Sequence, residues 1–202
     1  MEQAGAPRTL RELGGLRTTA SGVAGTAIVV IDAQREYLDG RLALPAIDAA
    51  VDQIRRLLDA GRERGAPIIH VAHQGRPGGL FAPGAGGEII DKVAPADDET
   101  IVGKSFPNAF ADTELRRVIE ALGDPQLVLC GFMTHMCVSS TARAALDLGL
   151  DATVVSDATA TRSLPSTGSG EPIAAELVHE IALAELADRF SVITDTGTLL
   201  AG

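Results

Sequence analysis

The sequence predicts a three-layer α/β/α fold in which helices cover both faces of a doubly wound, mostly parallel, six-stranded sheet. Three observations carry that prediction. Short β-branched runs alternate with amphipathic stretches from Thr26 onward, the central runs are apolar without a two-residue alternation, and Gly- and Pro-rich segments punctuate the units. Runs that are apolar at every position suit strands buried on both faces, and strand followed by helix implies parallel neighbours joined by right-handed crossovers.

The elements follow in order. Residues 1–25 carry Glu2, Arg8, Arg11, Glu12 and Arg17 among Gly, Ala and Thr, too polar for the apolar stretch of a secretory signal, and read as an extended N-terminal arm. A single domain is expected over 26–202. Thr26–Ile31 (TAIVVI) is the first strand, and 46–64 is a helix whose Ile47, Val51, Ile54, Leu57 and Leu58 form one stripe. Residues 67–72 (PIIHVA) make a second strand, and 75–87 a Gly- and Pro-rich loop long enough to cover a pocket. A third strand is expected near 99–102, just before Gly103 and Lys104, with a helix at 113–122. The run 126–130 (QLVLC) is the next strand, leading to a helix at 138–148. Strand 151–156 (DATVVS), a loop at 162–170, a helix at 172–189 and a last strand at 191–194 (SVIT) complete the pattern.

The 202 residues hold 17 Lys and Arg against 27 Asp and Glu, a net charge of −10. That balance disfavours nucleic acid and anionic membrane surfaces, which need clustered basic side chains. No stretch reaches the roughly 18 apolar residues of a membrane span. Two cysteines, Cys130 and Cys137, without a C-x-x-C spacing, give neither a disulfide framework nor a zinc site, so a cytoplasmic location is expected.

Chemistry in a doubly wound sheet gathers at the carboxyl ends of strands. There the chain presents Asp32 after the first strand, Lys104 after the third, and Cys137 after the fourth. Gly103-Lys104-Ser105 resembles the tail of a phosphate-binding loop, but that motif needs a Gly where Asp98 stands, and Pro107 interrupts the helix it requires. A dinucleotide fingerprint is excluded because Asp32-Ala33-Gln34 replaces the Gly-rich turn. Taken alone, Asp32 is equally a helix cap, and Cys130 inside its strand is a small buried hydrophobe. Cys137 stands where a helix pattern begins, and the positive end of a helix favours thiolate.

Asp32 after an apolar strand, Lys104 in the run KSFPNAF, and Gly-x-x-Thr-x-x-Cys-Val ahead of Thr141-Ala142 resemble the isochorismatase-like cysteine hydrolases over about residues 26–193. The resemblance implies a catalytic triad of Asp32, Lys104 and Cys137, and an oxyanion hole from the amides of Met133 and Cys137. It also implies a non-proline cis peptide at Phe132–Met133. Because the cysteine is present, it implies cleavage of a C–N bond in a small amide or carbamoyl compound through a thioester. Two alternatives stay open: ether hydrolysis of the isochorismatase type, which works without the cysteine, and a non-hydrolytic binding or thiol-redox role on the same fold.

Members that add a metal use an Asp and two His after the second strand. Here HVAHQGRPGG has no Asp, and His70 and His73 have an odd separation that puts them on opposite sides of a strand. No metal and no cofactor are expected. The expected partners are a small-molecule substrate and further copies of the chain, as a dimer or tetramer. Candidate pocket residues are Gln34, Tyr37, His73, Phe106, Phe110, Thr134 and His135, with Leu38 and Phe81 also considered. Arg162 reads either as a contact to an anionic substrate group or as a solvated or interface arginine, and His179 as a helix-surface or packing residue.

Overall fold

In the computed structural model, residues 6–168 and 170–202 are described. Six parallel strands form one sheet: β1 (Thr26–Ile31), β2 (Ile68–His73), β3 (Thr100–Lys104), β4 (Gln126–Phe132), β5 (Ala152–Ala160) and β6 (Val192–Thr194). Their spatial order is β3-β2-β1-β4-β5-β6. The order reverses between β1 and β4, which opens a crevice at their carboxyl ends.

The absence of alternation in β1 has its expected cause. Ile28 and Val30 face one core, while Ala27, Val29 and Ile31 face the other. The first core lies under α2 (Ile47–Arg64), whose Val51, Ile54, Leu57 and Leu58 pack on the sheet. Gly65 ends α2 in a left-handed conformation, its N–H closing back on the carbonyls of Gly61 and Arg62. The second core lies under α3 (Leu115–Ala121) and α4 (Ser139–Asp147), through Leu115, Ile119, Ala142 and Ala145. The helix α5 (Ala175–Glu185) borders the same face, where Leu183 and, just beyond the helix, Leu186 join this core. A six-residue helix that the sequence reading did not anticipate, α6 (Thr196–Ala201), is capped by the Asp195 side chain on the Thr198 N–H and packs Leu199 and Leu200 on the α2 side.

Two of the differences from the sequence reading bear on the site and on the arm. The fifth strand runs on to Ala160, past an irregularity in its pairing with β4 between Leu129 and Gly131. The N-terminal arm is not extended throughout: Leu10–Leu13 form a short helix, α1, closed by a reciprocal Thr9–Glu12 cap. The part of the arm before Pro7 lies largely outside the described residues. Its anchor is Arg11, a buried guanidinium that donates to the Arg17 carbonyl (2.6 and 3.0 Å) and pairs with Asp151 at 3.7 Å. Arg17 completes the clamp on Asp151 at 2.8 Å.

Removing this clamp leaves a partly buried carbonyl without its donor, at about 1 kcal/mol. Arg11→Ala is therefore expected to lower the urea midpoint and to leave the folded-state circular dichroism unchanged. An unaltered midpoint contradicts the docking of the arm.

Candidate active site

Asp32 follows β1 directly. Its N–H still donates to the Val71 carbonyl (2.8 Å), so the ladder with β2 holds up to this residue, and its backbone then turns into the left-handed region (φ 49°). Such a conformation in a non-glycine residue costs about 1 kcal/mol or more and persists where surrounding structure fixes a side chain's direction. Lys104 closes β3 in register with His73 of β2, and the Gln74 N–H donates to the Lys104 carbonyl at 2.8 Å. In β4, Gly131 (φ 108°) lies so close to β1 that a Cβ there would meet the Ile31 carbonyl at 2.0 Å. Only glycine permits that approach, which brings the end of β4 beside Asp32.

Beyond the cis Phe132–Met133 peptide, Thr134–Val138 form a π-helical turn that runs into α4. The turn is pinned on both flanks. Thr134 Oγ1 bonds to His179 Nδ1 (2.9 Å), and the Ser156 backbone lies close enough to act on the His179 ring. On the other flank His135 Nδ1 bonds to Thr161 Oγ1. Thr141 of α4 accepts from the Ala109 N–H at 3.0 Å and so ties the segment after Lys104 to the helix after Cys137.

These supports bring three side chains together. Lys104 Nζ lies 2.7 Å from Asp32 Oδ2 and 3.4 Å from Cys137 Sγ. Asp32 and Lys104 are fully buried, and Cys137 is 6% exposed. Asp32 also acts on the thiol as a nearby acceptor. Among the described residues neither of its oxygens has a well-directed hydrogen-bond donor, so the carboxylate keeps acceptor capacity for a proton. Burial lifts the Asp32 carboxyl above its ordinary range, against the opposing pull of Lys104. Burial, and then the Asp32 charge, push the Cys137 thiol up to about 12, with Lys104 opposing.

This corrects the expectation of a standing thiolate at a helix start. Cys137 lies in the first turn of the helix that begins at Thr134, and there burial outweighs both the helix terminus and the ammonium. Cys130 is as expected, a fully buried strand residue whose thiol is raised to about 12 by burial alone.

The candidate pocket residues divide. Tyr37 packs edge-on against Phe81 (5.2 Å) and Phe132 (5.8 Å), within the fields of Asp32 and Cys137. His73 rests on Phe81 at 4.9 Å, close enough to Lys104 and Asp32 for both to act on its titration. Gln34 is a brace: its amide donates to the carbonyls of His73 (3.0 Å) and Gly87 (2.7 Å), its oxygen accepts from the His73 N–H (2.8 Å), and no donor is left for a substrate. Phe106 is 52% exposed, and Phe110 is half-buried against the α3 and α4 core.

Sequence reasoning missed two supports. Buried Glu36 accepts from the N–H groups of Arg41 (2.9 Å) and Phe81 (3.1 Å) and organises the 75–87 loop, and His179 holds Thr134. Among the described residues no three His, Cys, Asp or Glu side chains form a metal-binding group. His70 bonds to Glu99 (2.9 Å), which is paired with Arg62 of α2, well apart from the role of His73.

The doubly wound sheet thus brings an acid, an ammonium and a thiol together at its switch point. Residues 26–198 match the model of the isochorismatase domain, and the chain belongs to the isochorismatase family of hydrolases. It is 37% identical over 190 residues to the "Secreted isochorismatase effector Isc1" of Verticillium dahliae, which spans 93% of this chain and 97% of that protein. The fold superposes on the crystal structure of an isochorismatase from Pseudomonas putida with a TM-score of 0.92 at 41% identity, covering 96% of this chain and 99% of that one. It is also similar to N-carbamoylsarcosine amidase from Thermoplasma acidophilum, with a TM-score of 0.71 at 26% identity, covering 85% and 96%.

The two cysteines are expected to differ in alkylation. Iodoacetamide should label Cys137 in the native protein with a pH inflection above the ordinary thiol value of about 8.5, and Lys104→Ala should move the inflection higher still. Cys130 should label only on unfolding. Peptide mapping that finds native label on Cys130, or an inflection below neutrality, contradicts this.

Proposed function

We propose that the protein is a metal-independent cysteine hydrolase that cleaves the C–N bond of a small amide or carbamoyl substrate through a thioester on Cys137. The observation that carries the reading is the buried contact of one ammonium with both a carboxylate and a thiol, at 2.7 and 3.4 Å. The amidase among its structural relatives supports an amide as the bond cleaved.

The steps follow from the proton inventory. With the thiol neutral and Asp32 ionised, the site holds one anion for the Lys104 ammonium. Sulfur attacks the carbonyl carbon as its proton passes to Asp32, so the charge count does not change and no ion is brought into the dry site. The amides of Met133 and Cys137 hold the tetrahedral oxyanion. Collapse breaks the C–N bond, and Asp32 returns its proton to the leaving nitrogen. Water then attacks the thioester, giving its proton to Asp32 and releasing the carboxylic acid, and the proton returns to sulfur. Lys104 offsets the negative charge wherever it resides.

The protein acts as a homo-oligomer in this reading, because Leu177 and Ile181 on α5, together with Met136 and Ile173, leave apolar side chains in water. Two unpaired cysteines favour a reducing, cytoplasmic setting. Among the described residues no helix is long and apolar enough to cross a membrane.

A screen of small amides for ammonia release tests the reading. With an active amide, Cys137→Ala should lose about a thousandfold or more in kcat. Lys104→Ala and Lys104→Arg should both lose at least about a hundredfold, since a planar guanidinium does not reproduce the point charge. Lys104→Ala should also be less stable, by up to about 3–5 kcal/mol, because Asp32 loses its counter-charge. Near-normal turnover in Cys137→Ala overturns the thioester and favours ether-type chemistry; near-normal turnover in Lys104→Ala removes the ammonium from the mechanism.

A further inference from the structure

At the amino end of the sheet a cluster of arginines takes no part in the chemistry of the crevice. The N-terminal arm, residues 146–151 at the junction of α4 and β5, and the π-helical turn Leu186–Phe190 after α5 enclose a cavity of about 260 Å³. Its charged lining is three guanidiniums, Arg11, Arg17 and Arg189, against one carboxylate, Asp151. Its floor is apolar, from Leu16, Leu146, Leu150 and Phe190. Asp151 is shared by two of the guanidiniums, Arg17 at 2.8 Å and Arg11 at 3.7 Å. Arg189 gives its carbonyl to Arg11 (3.4 Å), while its own exposed guanidinium has neither an ion pair nor a hydrogen bond among the described residues. Of the neighbouring acids, Glu12 accepts from the Thr9 N–H (2.8 Å) and Asp188 from the Leu10 N–H (2.9 Å), so both face the backbone of the arm.

Three cations around one anion are under-neutralised. Burial holds the Arg11 guanidinium below its usual range; Asp151 opposes that, and the Arg17 and Arg189 charges add to it. On a chain of net charge −10 this is a local reversal, since Arg35, Arg55, Arg62, Arg116 and Arg143 each have a carboxylate of their own. A second observation lies behind Arg11. That side chain also lines an adjoining cavity of about 170 Å³ between the arm and the start of β6, and Ser191 at its wall is fully buried with no hydrogen-bond partner for its hydroxyl among the described residues. A buried hydroxyl without a partner costs stability, so this corner keeps polar capacity for an atom from outside.

We propose that this corner binds a small organic acid, its single carboxylate held by Arg11, Arg17 and Arg189 and its apolar body, about the size of a phenyl ring, lying over Leu16, Leu150 and Phe190. Guanidiniums present planar forks that match a carboxylate, and the apolar floor strips water from a bare anion without return. Asp151 and Ser191 precede β5 and β6, whereas Cys137 follows β4, so the site lies at the opposite end of the parallel sheet from the crevice. Its ligand touches both the arm and the body of the domain and acts as an effector that strengthens the docking of the arm, whichever reaction the crevice performs.

Benzoate is the probe, with benzyl alcohol and inorganic phosphate as comparisons that lack the charge and the apolar body respectively. Calorimetric titrations are run on the whole chain in the wild type, Arg189→Gln, Arg189→Lys and Arg56→Gln, the last an exposed arginine of α2 that makes the same change in net charge. Benzoate is expected to bind one-to-one, roughly tenfold or more tightly than either comparison, and to raise the thermal midpoint. Arg189→Gln should weaken benzoate roughly tenfold, Arg189→Lys should restore part of the loss, and Arg56→Gln should change nothing. Because the Arg189 guanidinium holds no partner among the described residues, the urea midpoint of ligand-free Arg189→Gln should match the wild type. Saturating benzoate should leave the rate at which iodoacetamide labels Cys137 unaltered. The site is overturned by an absence of benzoate binding at millimolar concentration, by phosphate binding as tightly as benzoate, or by full affinity in Arg189→Gln. An equal loss in Arg56→Gln overturns it by assigning the effect to overall charge, and protection of Cys137 overturns it by placing benzoate in the crevice.

Discussion

Lys104 places a single ammonium between the Asp32 carboxyl and the Cys137 thiol, 2.7 Å from one and 3.4 Å from the other, with all three groups withdrawn from water. Charges in such a place are weakly screened and expensive to isolate. One cation accommodates one anion, so the two acids compete for it, and burial raises both. In the proposed reaction that competition makes the site a proton-transfer device: the thiol would become nucleophilic by handing its proton to Asp32, with the total charge of the buried cluster the same before and after.

The rest of the fold serves to hold that cluster. Lys104 comes from β3 and reaches past β2 to the end of β1, and Gly131 lets β4 run close enough to β1 to place the π-helical turn against Asp32. Gln34 and Glu36 spend their polar atoms on backbone groups of β2 and of the loop above it, so this side of the crevice is built from satisfied hydrogen bonds and the Tyr37, Phe81 and His73 rings. The opposite side is anchored by Thr134 to His179 and His135 to Thr161.

Much of this was legible in the sequence because it depends on local pattern. The six strands are continuous β-branched or apolar runs, and Asp32, Lys104 and Cys137 stand at their ends. What escaped depends on contacts distant in sequence. Arg11 looks like a solvated arm residue until Asp151, well over a hundred positions away, closes on it. The π-helical start at Thr134 rests on His179 and Thr161, neither of which any local periodicity connects to it. The α6 helix had a usable signal in Asp195 and Thr198, but its six residues are too few to show an apolar stripe. The thiol was misjudged because a sequence displays the ammonium and the helix pattern and hides the burial that outweighs them.

Ultraviolet absorbance of the thiolate, titrated against pH in a Cys130→Ala background so that only Cys137 contributes, tests the shared-proton arrangement most directly. Thiolate is expected to be nearly absent at neutral pH with Asp32 in place. In Asp32→Asn the competing anion is gone and Lys104 has only the sulfur to balance, so the titration should shift to lower pH by at least about one unit, equivalent to about 1.4 kcal/mol, while amide turnover is lost. A full thiolate signal at neutral pH with Asp32 present, or a titration that Asp32→Asn does not lower, would contradict the account.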